Sequence, residues 1–270
     1  MKPKVSIIIP FYNHALYIKD SLNSALNQTY DNIEVIIVDD GSDDTNKKVL
    51  DELSEKYSSI HIIHQENQGP CSAKNNGVSK STGNWLLFLD SDNILLPQFV
   101  QRGVDIICQD ENVNWLFGDF EYFGNKTGKK IQDIPDSKKV VFMNPVDNCI
   151  LIKKDTFNEI GQFDNKLNRL GLEDWDIILS LIERKEKYHK INEVIFKYRV
   201  VENSRTNLEA NKQLGEIKKH IASKHYSYIL DNYEKLFYER EMLKESIDRR
   251  IGGYLLFPYR MVKRLCKKDE

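Results

Sequence analysis

Asp90 and Asp92, in WLLFLDSDNILLP (85–97), are the residues of this sequence whose spacing most directly suggests chemistry. In an extended chain, residues i and i+2 share a face, so both carboxylates can point together while Ser91 points elsewhere. Neighbouring carboxylates repel unless one is protonated or a cation bridges them. Paired oxygens of this kind suit a hard ion, Mg²⁺ or Mn²⁺, whose shell is usually completed by substrate phosphates. The same spacing also fits a solvated loop with a capping aspartate ahead of a helix entered through Pro97. Spacing alone leaves both readings open.

Two further acidic clusters raise the same choice. In VDDGSDD (38–44), Gly41 permits a positive φ and Ser42 or Asp43 can cap the next helix, but neither explains why Asp39 and Asp40 both follow an apolar strand directly. Glu173-Asp174-Trp175-Asp176 fits acids placed at a helix N-terminus by the macrodipole, with the tryptophan in the core. The histidines lack metal-ligand spacing except His61 and His64, and in a strand that spacing puts the two rings on opposite faces. They read as scattered structural histidines.

These residues need elements to hold them. VSIII (5–9), IEVIIV (33–38), IHIIH (60–64) and WLLFL (85–89) read as strands, with helical patterns at 15–27, 44–57, 71–81 and 97–109 between and after them. Continuous apolar strands alternating with helices predict a parallel sheet covered on both faces. Such sheets bind ligands beyond the carboxyl ends of their strands. Pro10-Phe11-Tyr12-Asn13, VDDGSDD and Asp90-Ser91-Asp92 all fall on that rim. Further on, NWLFGDFEYF (114–123), KVVFM (139–143) and NCILI (148–152) read as strands, with 124–138 as a mobile polar loop. A helix over 174–186 and a last strand over 190–200 follow. Residues 207–250 are highly charged with apolar residues at helical spacing, one or two long helices.

The 270 residues suffice for one large domain with an appendage, and 40% hydrophobic content supports a sizeable core. Lys plus Arg total 39 against 41 Asp plus Glu, so the chain as a whole is no polyanion binder. Cys71, Cys108, Cys149 and Cys266 show no pairing rhythm and read as reduced thiols. The opening apolar run is broken by Pro10, too short for a signal peptide, and no stretch has the length of a membrane span. The expectation is a soluble cytoplasmic protein, at most peripheral at the inner face of the plasma membrane.

VSIIIPFYNH, LNQTYDNIEVIIVDDGSDD and NQGPCSAKNNGVSKSTGNWLLFLDSDN, followed by IGQFDNKL (160–167) and LEDWDI (172–177), resemble in order and spacing the catalytic domain of family 2 glycosyltransferases. The resemblance covers about residues 3–200. It implies a GT-A fold, a Rossmann-like nucleotide-binding sheet joined to a mixed acceptor-side sheet, here with a C-terminal helical extension. It implies a nucleotide-diphospho-sugar donor, a UDP-sugar by family frequency, Mn²⁺ or Mg²⁺, and inversion at the anomeric carbon. The acceptor would be a hydroxyl of a surface glycan or lipid-linked molecule. By the same resemblance Pro10, Tyr12 and Asn13 line the nucleoside pocket, Asp40 holds the base edge and Asp39 supports it. Lys74 stands where the family more often has arginine and would reach the base or diphosphate, without arginine's planar fork. Asp90 contacts the ribose side, Asp92 the metal with Asp90 as its partner. Asp174 becomes the general base, with Glu173 as neighbour and runner-up. The implied division is 1–206 for the catalytic domain (1–96 nucleotide half, 97–206 acceptor half), 207–248 for the helical extension and 249–270 for the tail.

The family often carries a histidine shortly after the Tyr-Arg of the last strand, but KYRVVENSRT (197–206) has none. Arg199, Glu202 or Arg205 could substitute. The tail RRIGGYLLFPYRMVKRLCKK (249–268) is basic and aromatic, which suits an anionic membrane surface or packing against the chain or a partner. The helices over 207–248 offer a homodimer seam or fold back. Nothing suggests nucleic acid. Two rivals to glycosyl transfer remain, a sugar nucleotidyltransferase, whose glycine-rich signature PFYNHALYIK lacks, and a non-catalytic nucleotide-binding module.

Overall fold

The computed structural model describes residues 2–135, 140–168, 171–201, 210–235, 237, 238 and 242. The chain divides into two compact units, Met1–Lys224 and His225–Glu270, and of the second the stretch 226–235 is helical. The tail at 249–270 lies outside the described residues, as do Glu202 and Arg205.

The first unit opens with strict alternation: β1 (Val5–Phe11), α1 (Ala15–Leu26), β2 (Ile33–Asp40), α2 (Asp44–Lys56), β3 (Ile60–Gln65), α3 (Pro70–Lys80) and β4 (Trp85–Phe88). β1 pairs in parallel with β2 on one side and β4 on the other, and β2 pairs in parallel with β3. The strand runs are continuously apolar because both faces are covered. Ile7, Ile9, Val35 and Ile37 pack with Ile18, Leu22, Leu50 and Leu53 of α1 and α2, whereas Ile36 and Val38 pack with Ala73 of α3. α3 sits so close to the sheet that a Cβ on Gly77 would lie 2.6 Å from Ile8 Cγ2. Asp43, not Ser42, caps α2, accepting from Asn46 N at 3.0 Å.

The second half continues through β5 (Ile94–Leu95), α4 (Phe99–Gln109), β6 (Trp115–Gly124), β7 (Gly128–Lys130), β8 (Leu151–Lys153), α5 (Lys154–Glu159), a single 3₁₀ turn at Asn165–Leu167, α6 (Glu173–Glu183), β9 (Tyr188–Val200) and α7 (Ala210–Lys224). The sheet order is β3-β2-β1-β4-β8-β6-β9-β5, with β7 on β6. β8 joins antiparallel to β4, so the parallel half becomes mixed there. The chain runs from β1 to β2 on one side, then returns past β1 to β4 on the other. Loops leaving β1 and β4 therefore diverge, opening the crevice where such sheets take ligands.

Over its described residues the expected strand KVVFM is not one: Val140 to Phe142 form a turn, and Val140 O accepts from Trp175 Nε1 at 2.6 Å. The valines are buried by docking on α6, so β-propensity served packing without pairing. NCILI contributes only its last two residues to β8. The expected loop at 124–138 contains β7, and Gln132 within it is buried and hydrogen-bonded to Gly118 O and Asp147 N. Among the described residues no helix is long and apolar enough to cross a membrane. Cys71, Cys108 and Cys149 are free thiols.

Candidate active site

The loops at the ends of β1 and β2 are laced together by side chains. Asn13, held at φ +52°, accepts from Asp43 N at 3.0 Å and donates its own N–H to Ser42 Oγ at 3.0 Å. Asn46 Oδ1 accepts from Ala15 N at 2.9 Å, which closes the uncapped start of α1. Gly41 has φ +75°, and a Cβ there would meet Asn67 N at 2.6 Å. Pro10 is half-buried behind this rim, and Tyr12 stands on it, 50% exposed.

Asp39 and Asp40 are both buried, and the register explains why both are needed. Cross-strand pairing sets Asp39 opposite His64 and Asp40 opposite Gln65. Asp39 accepts from Ser42 N at 3.0 Å and contacts His64 Nδ1 at 2.9 Å. Asp40 Oδ1 accepts from Gln65 Nε2 and Gln68 N, and Oδ2 from Gly69 N, each at 2.8 Å. Asp40 thus fixes the β3–α3 loop that walls the crevice.

The Asp-Ser-Asp turn is held from behind. Ser91 Oγ lies 2.8 Å from His14 Nδ1, and Ser21 Oγ donates to Asp90 O at 3.1 Å. Arg199, the arginine of the Tyr-Arg pair in β9, donates through Nε to Asp92 O at 3.0 Å, and its backbone N–H donates to Asn93 Oδ1 at 3.0 Å. Its guanidinium also pairs with Asp20 at 2.9 Å and stacks over Tyr17 and Phe123. Burial lowers His14, opposed by Asp90, so its imidazole is neutral at physiological pH. Burial, and then the charge of Asp90, push Asp92 up to about 7, with Arg199 opposing. Asp90 and Asp92 thus crowd each other, with Lys74 3.8 Å from Asp90 Oδ1. No cluster of three or more His, Cys, Asp or Glu side chains suited to a metal occurs among the described residues. This donor set fits an ion such as Mg²⁺ that keeps waters and shares substrate phosphates.

Lys74 joins this turn to the acidic helix. Only 2% exposed, its ammonium lies 3.2 Å from Glu173 Oε1, 3.8 Å from Asp90 Oδ1 and over the Phe163 ring. α6 begins after two left-handed residues, Gly171 at φ +87° and Leu172 at φ +63°, the second a strained conformation for leucine. Asp174 accepts from Trp175 N at 2.8 Å. Burial, with Glu173 next, raises Asp174 to about 6, and Lys74 opposes.

Three residues near the site were not among its sequence candidates, although Tyr198 belongs to the Tyr-Arg pair of KYRVVENSRT. Asp147 accepts from Cys149 N at 3.0 Å, and burial, then Asp90, push it up to about 8, with Asp174 adding to the rise. Tyr198 is raised by burial and then by the charges of Asp147, Asp90, Asp92 and Asp174. A lone aspartate in NPVDNC has no spacing to flag it. Asn168 is a third: its Oδ1 accepts from Cys71 N at 2.8 Å and Ser72 N at 3.3 Å, capping α3 from a loop 97 residues away.

Residues 6–169 match the family model described as Glycosyl transferase family 2. Two proteins of Haemophilus influenzae, each described as an uncharacterized glycosyltransferase, are similar in sequence. One is 33% identical over 52% of this chain and 56% of its own length. The other is 32% identical over 70% of this chain and 66% of its own. The chain thus spans between half and two thirds of these relatives. Among solved structures, S. aureus TarS 1-349 in complex with UDP-GlcNAc superposes with a TM-score of 0.60 at 17% identity, over 76% of this chain and 61% of that one. The same protein in complex with UDP gives 0.58 at 18% identity, over 83% and 72%. At these identities the likeness is one of fold.

Proposed function

Because this chain belongs to glycosyl transferase family 2 and has a GT-A-type fold, we propose that it moves a sugar from a UDP-sugar to an acceptor hydroxyl with inversion at the anomeric carbon. The observation that carries this reading is the buried Lys74 ammonium, 3.8 Å from Asp90 in the turn after β4 and 3.2 Å from Glu173 at the start of α6, which joins the Asp-Ser-Asp turn to the acidic helix beside the switch point of the sheet. Support for a UDP-sugar donor comes from S. aureus TarS, which has been crystallised with UDP and with UDP-GlcNAc.

Tyr12 and Asn13 form one wall of the nucleoside pocket, and the loop fixed by Asp39 and Asp40 forms the other. Asp92, with Asp90, would hold Mg²⁺ or Mn²⁺, which when bound supplies Lewis-acid stabilisation of the departing diphosphate. Lys74 balances Asp90 and Glu173 beneath the sugar. Asp174, ionised above about pH 6, takes the acceptor hydroxyl's proton as that oxygen bonds to the anomeric carbon and the carbon–oxygen bond to UDP breaks. The acceptor is a surface-glycan or lipid-linked hydroxyl, a reading supported by the basic aromatic composition of 249–268.

A panel of UDP-, dTDP- and GDP-sugars tests the proposal, read by thermal stabilisation and nucleotide release with Mg²⁺ or Mn²⁺. One UDP-sugar should stabilise the protein and release UDP, and NMR of the product should show the inverted anomer. Stabilisation by nucleotide sugars without any release would favour a non-catalytic module. Release of pyrophosphate instead of UDP would favour a nucleotidyltransferase.

A further inference from the structure

α6 opens with three acids in four residues, and the fold treats each differently. Glu173 faces Lys74 at 3.2 Å. Asp176, fully buried, pairs with Lys224 Nζ at 2.6 Å. Asp174, between them in sequence, accepts from Trp175 N at 2.8 Å. Lys224 is the last residue of α7, and one turn earlier His220 Nε2 lies 2.8 Å from Asp164 Oδ2. Asp164 in turn caps the 3₁₀ turn through Lys166 N at 2.9 Å. Spacing of i and i+4 puts His220 and Lys224 on one face of α7. Ile217 and Ile221, both fully buried, share that face. One helix therefore grips both ends of the segment 164–176, which carries Asp174 near its end.

We propose that α7 is a clamp for the acidic helix, with Lys224 as a positioning residue that keeps Asp174 aimed at the acceptor side of the crevice. This rests on reading Asp174 as the base. The charged groups around the segment are Lys74, Glu173, Asp90 and Asp147 near Asp174, with Lys224 on Asp176 and His220 on Asp164. If α7 merely shields apolar surface, the identity of position 224 is irrelevant to turnover once the protein is folded. If it positions the base, geometry and rate change together.

Full-length Lys224→Met, Lys224→Arg and the double variant Asp176→Asn with Lys224→Met separate these cases. The double variant removes both charges of this pair, so it tests the clamp even where Lys224→Met alone fails to fold. Hydrogen exchange of the 164–176 amides should accelerate in the double variant while β1 and β2 stay unchanged. With the UDP-sugar selected by the donor panel, its kcat should fall about tenfold or more, as misplaced reacting groups do, at an unchanged donor KM. Lys224→Arg should keep most of the rate. Where Lys224→Met folds, the loss of a positive charge beside Asp176 should move the acid limb of kcat upward, and the double variant should return the limb to its wild-type position. Wild-type kcat and unchanged exchange in the double variant overturn the clamp. Wild-type turnover by Asp174→Asn overturns the base assignment, a separate result from the first.

Discussion

Replacing Asp174 with asparagine separates a catalytic base from a helix-terminal acid, because the two roles predict opposite changes in stability. The carboxyl titrates near 6 in the fold against an ordinary 3.8. A raised acid is destabilised when ionised: the cost is absent below 3.8, where both states hold the proton, and complete above about 6. At pH 8 the gap amounts to about 3 kcal/mol against the native state. Asparagine carries no charge and can still accept from Trp175 N, so Asp174→Asn should recover part of that cost. With half recovered, at about 2–4 °C per kcal/mol for a unit of this size, it should melt about 5 °C above wild type at pH 8 and level with it near pH 4. Turnover should meanwhile drop about 10²- to 10⁴-fold with UDP affinity unchanged. In the wild type, kcat should rise with pH through about 6 as the base ionises. An acid serving only the macrodipole would lose about 0.3–1 kcal/mol on replacement and leave the rate alone. Melting scans at the two pH values beside UDP-release assays decide the matter. A folded variant that melts lower at pH 8 and turns over normally refutes the reasoning.

Asp92→Ala should abolish the dependence of UDP binding on Mg²⁺ or Mn²⁺ in calorimetry, weakening it at least tenfold given that even outer-shell partners of metals cost about 10–100-fold. Metal-independent binding by the wild type would remove the ligand role. Glu34 is pushed up by burial but held down to about 2 by hydrogen bonds from Ser6, Thr82 and Lys4, below its ordinary 4.5. Its contribution is present above 4.5 and lost as pH falls toward 2. Glu34→Gln should therefore cost about 2 kcal/mol at pH 7 and much less at pH 3 in denaturant titrations, and equal losses at both would discount the carboxylate. Gly77→Ala forces a methyl 2.6 Å from Ile8 and should cost about 1–3 kcal/mol by urea unfolding. A neutral result would mean that α3 can lift off the sheet freely.

The parallel half of the fold was legible because its signals are local. Four apolar runs, each buried on both faces, alternate with helical spacing, and Gly41 and Asp43 mark their own turn. The acceptor half was less so. β7 has three exposed residues and no apolar pattern, and β8 is three residues long. KVVFM has the composition of a strand, yet its valines bury themselves beside Trp175. Asp147 and Tyr198 enter the site because β6, β8 and β9 are neighbours, a fact of topology that no short window contains.

The acidic helix shows why type and spacing located the site but could not rank its carboxylates. Glu173, Asp174 and Asp176 are interchangeable in sequence, since all three suit a first turn. What distinguishes them is the position of two lysines: Lys74 reaches Glu173 across 99 residues and Lys224 reaches Asp176 across 48. Each ammonium holds its partner in an ion pair. Asp174, raised to about 6 by burial and then by Glu173, with Lys74 opposing, is ionised at neutral pH but basic enough to accept a proton. Lys74 places a compact point charge 3.2 Å from Glu173 and 3.8 Å from Asp90, where arginine would bring a rigid planar fork of donors. Selection of the base is thus a property of long-range charge pairing, and changing either lysine should alter the chemistry without touching a residue of the acidic motif.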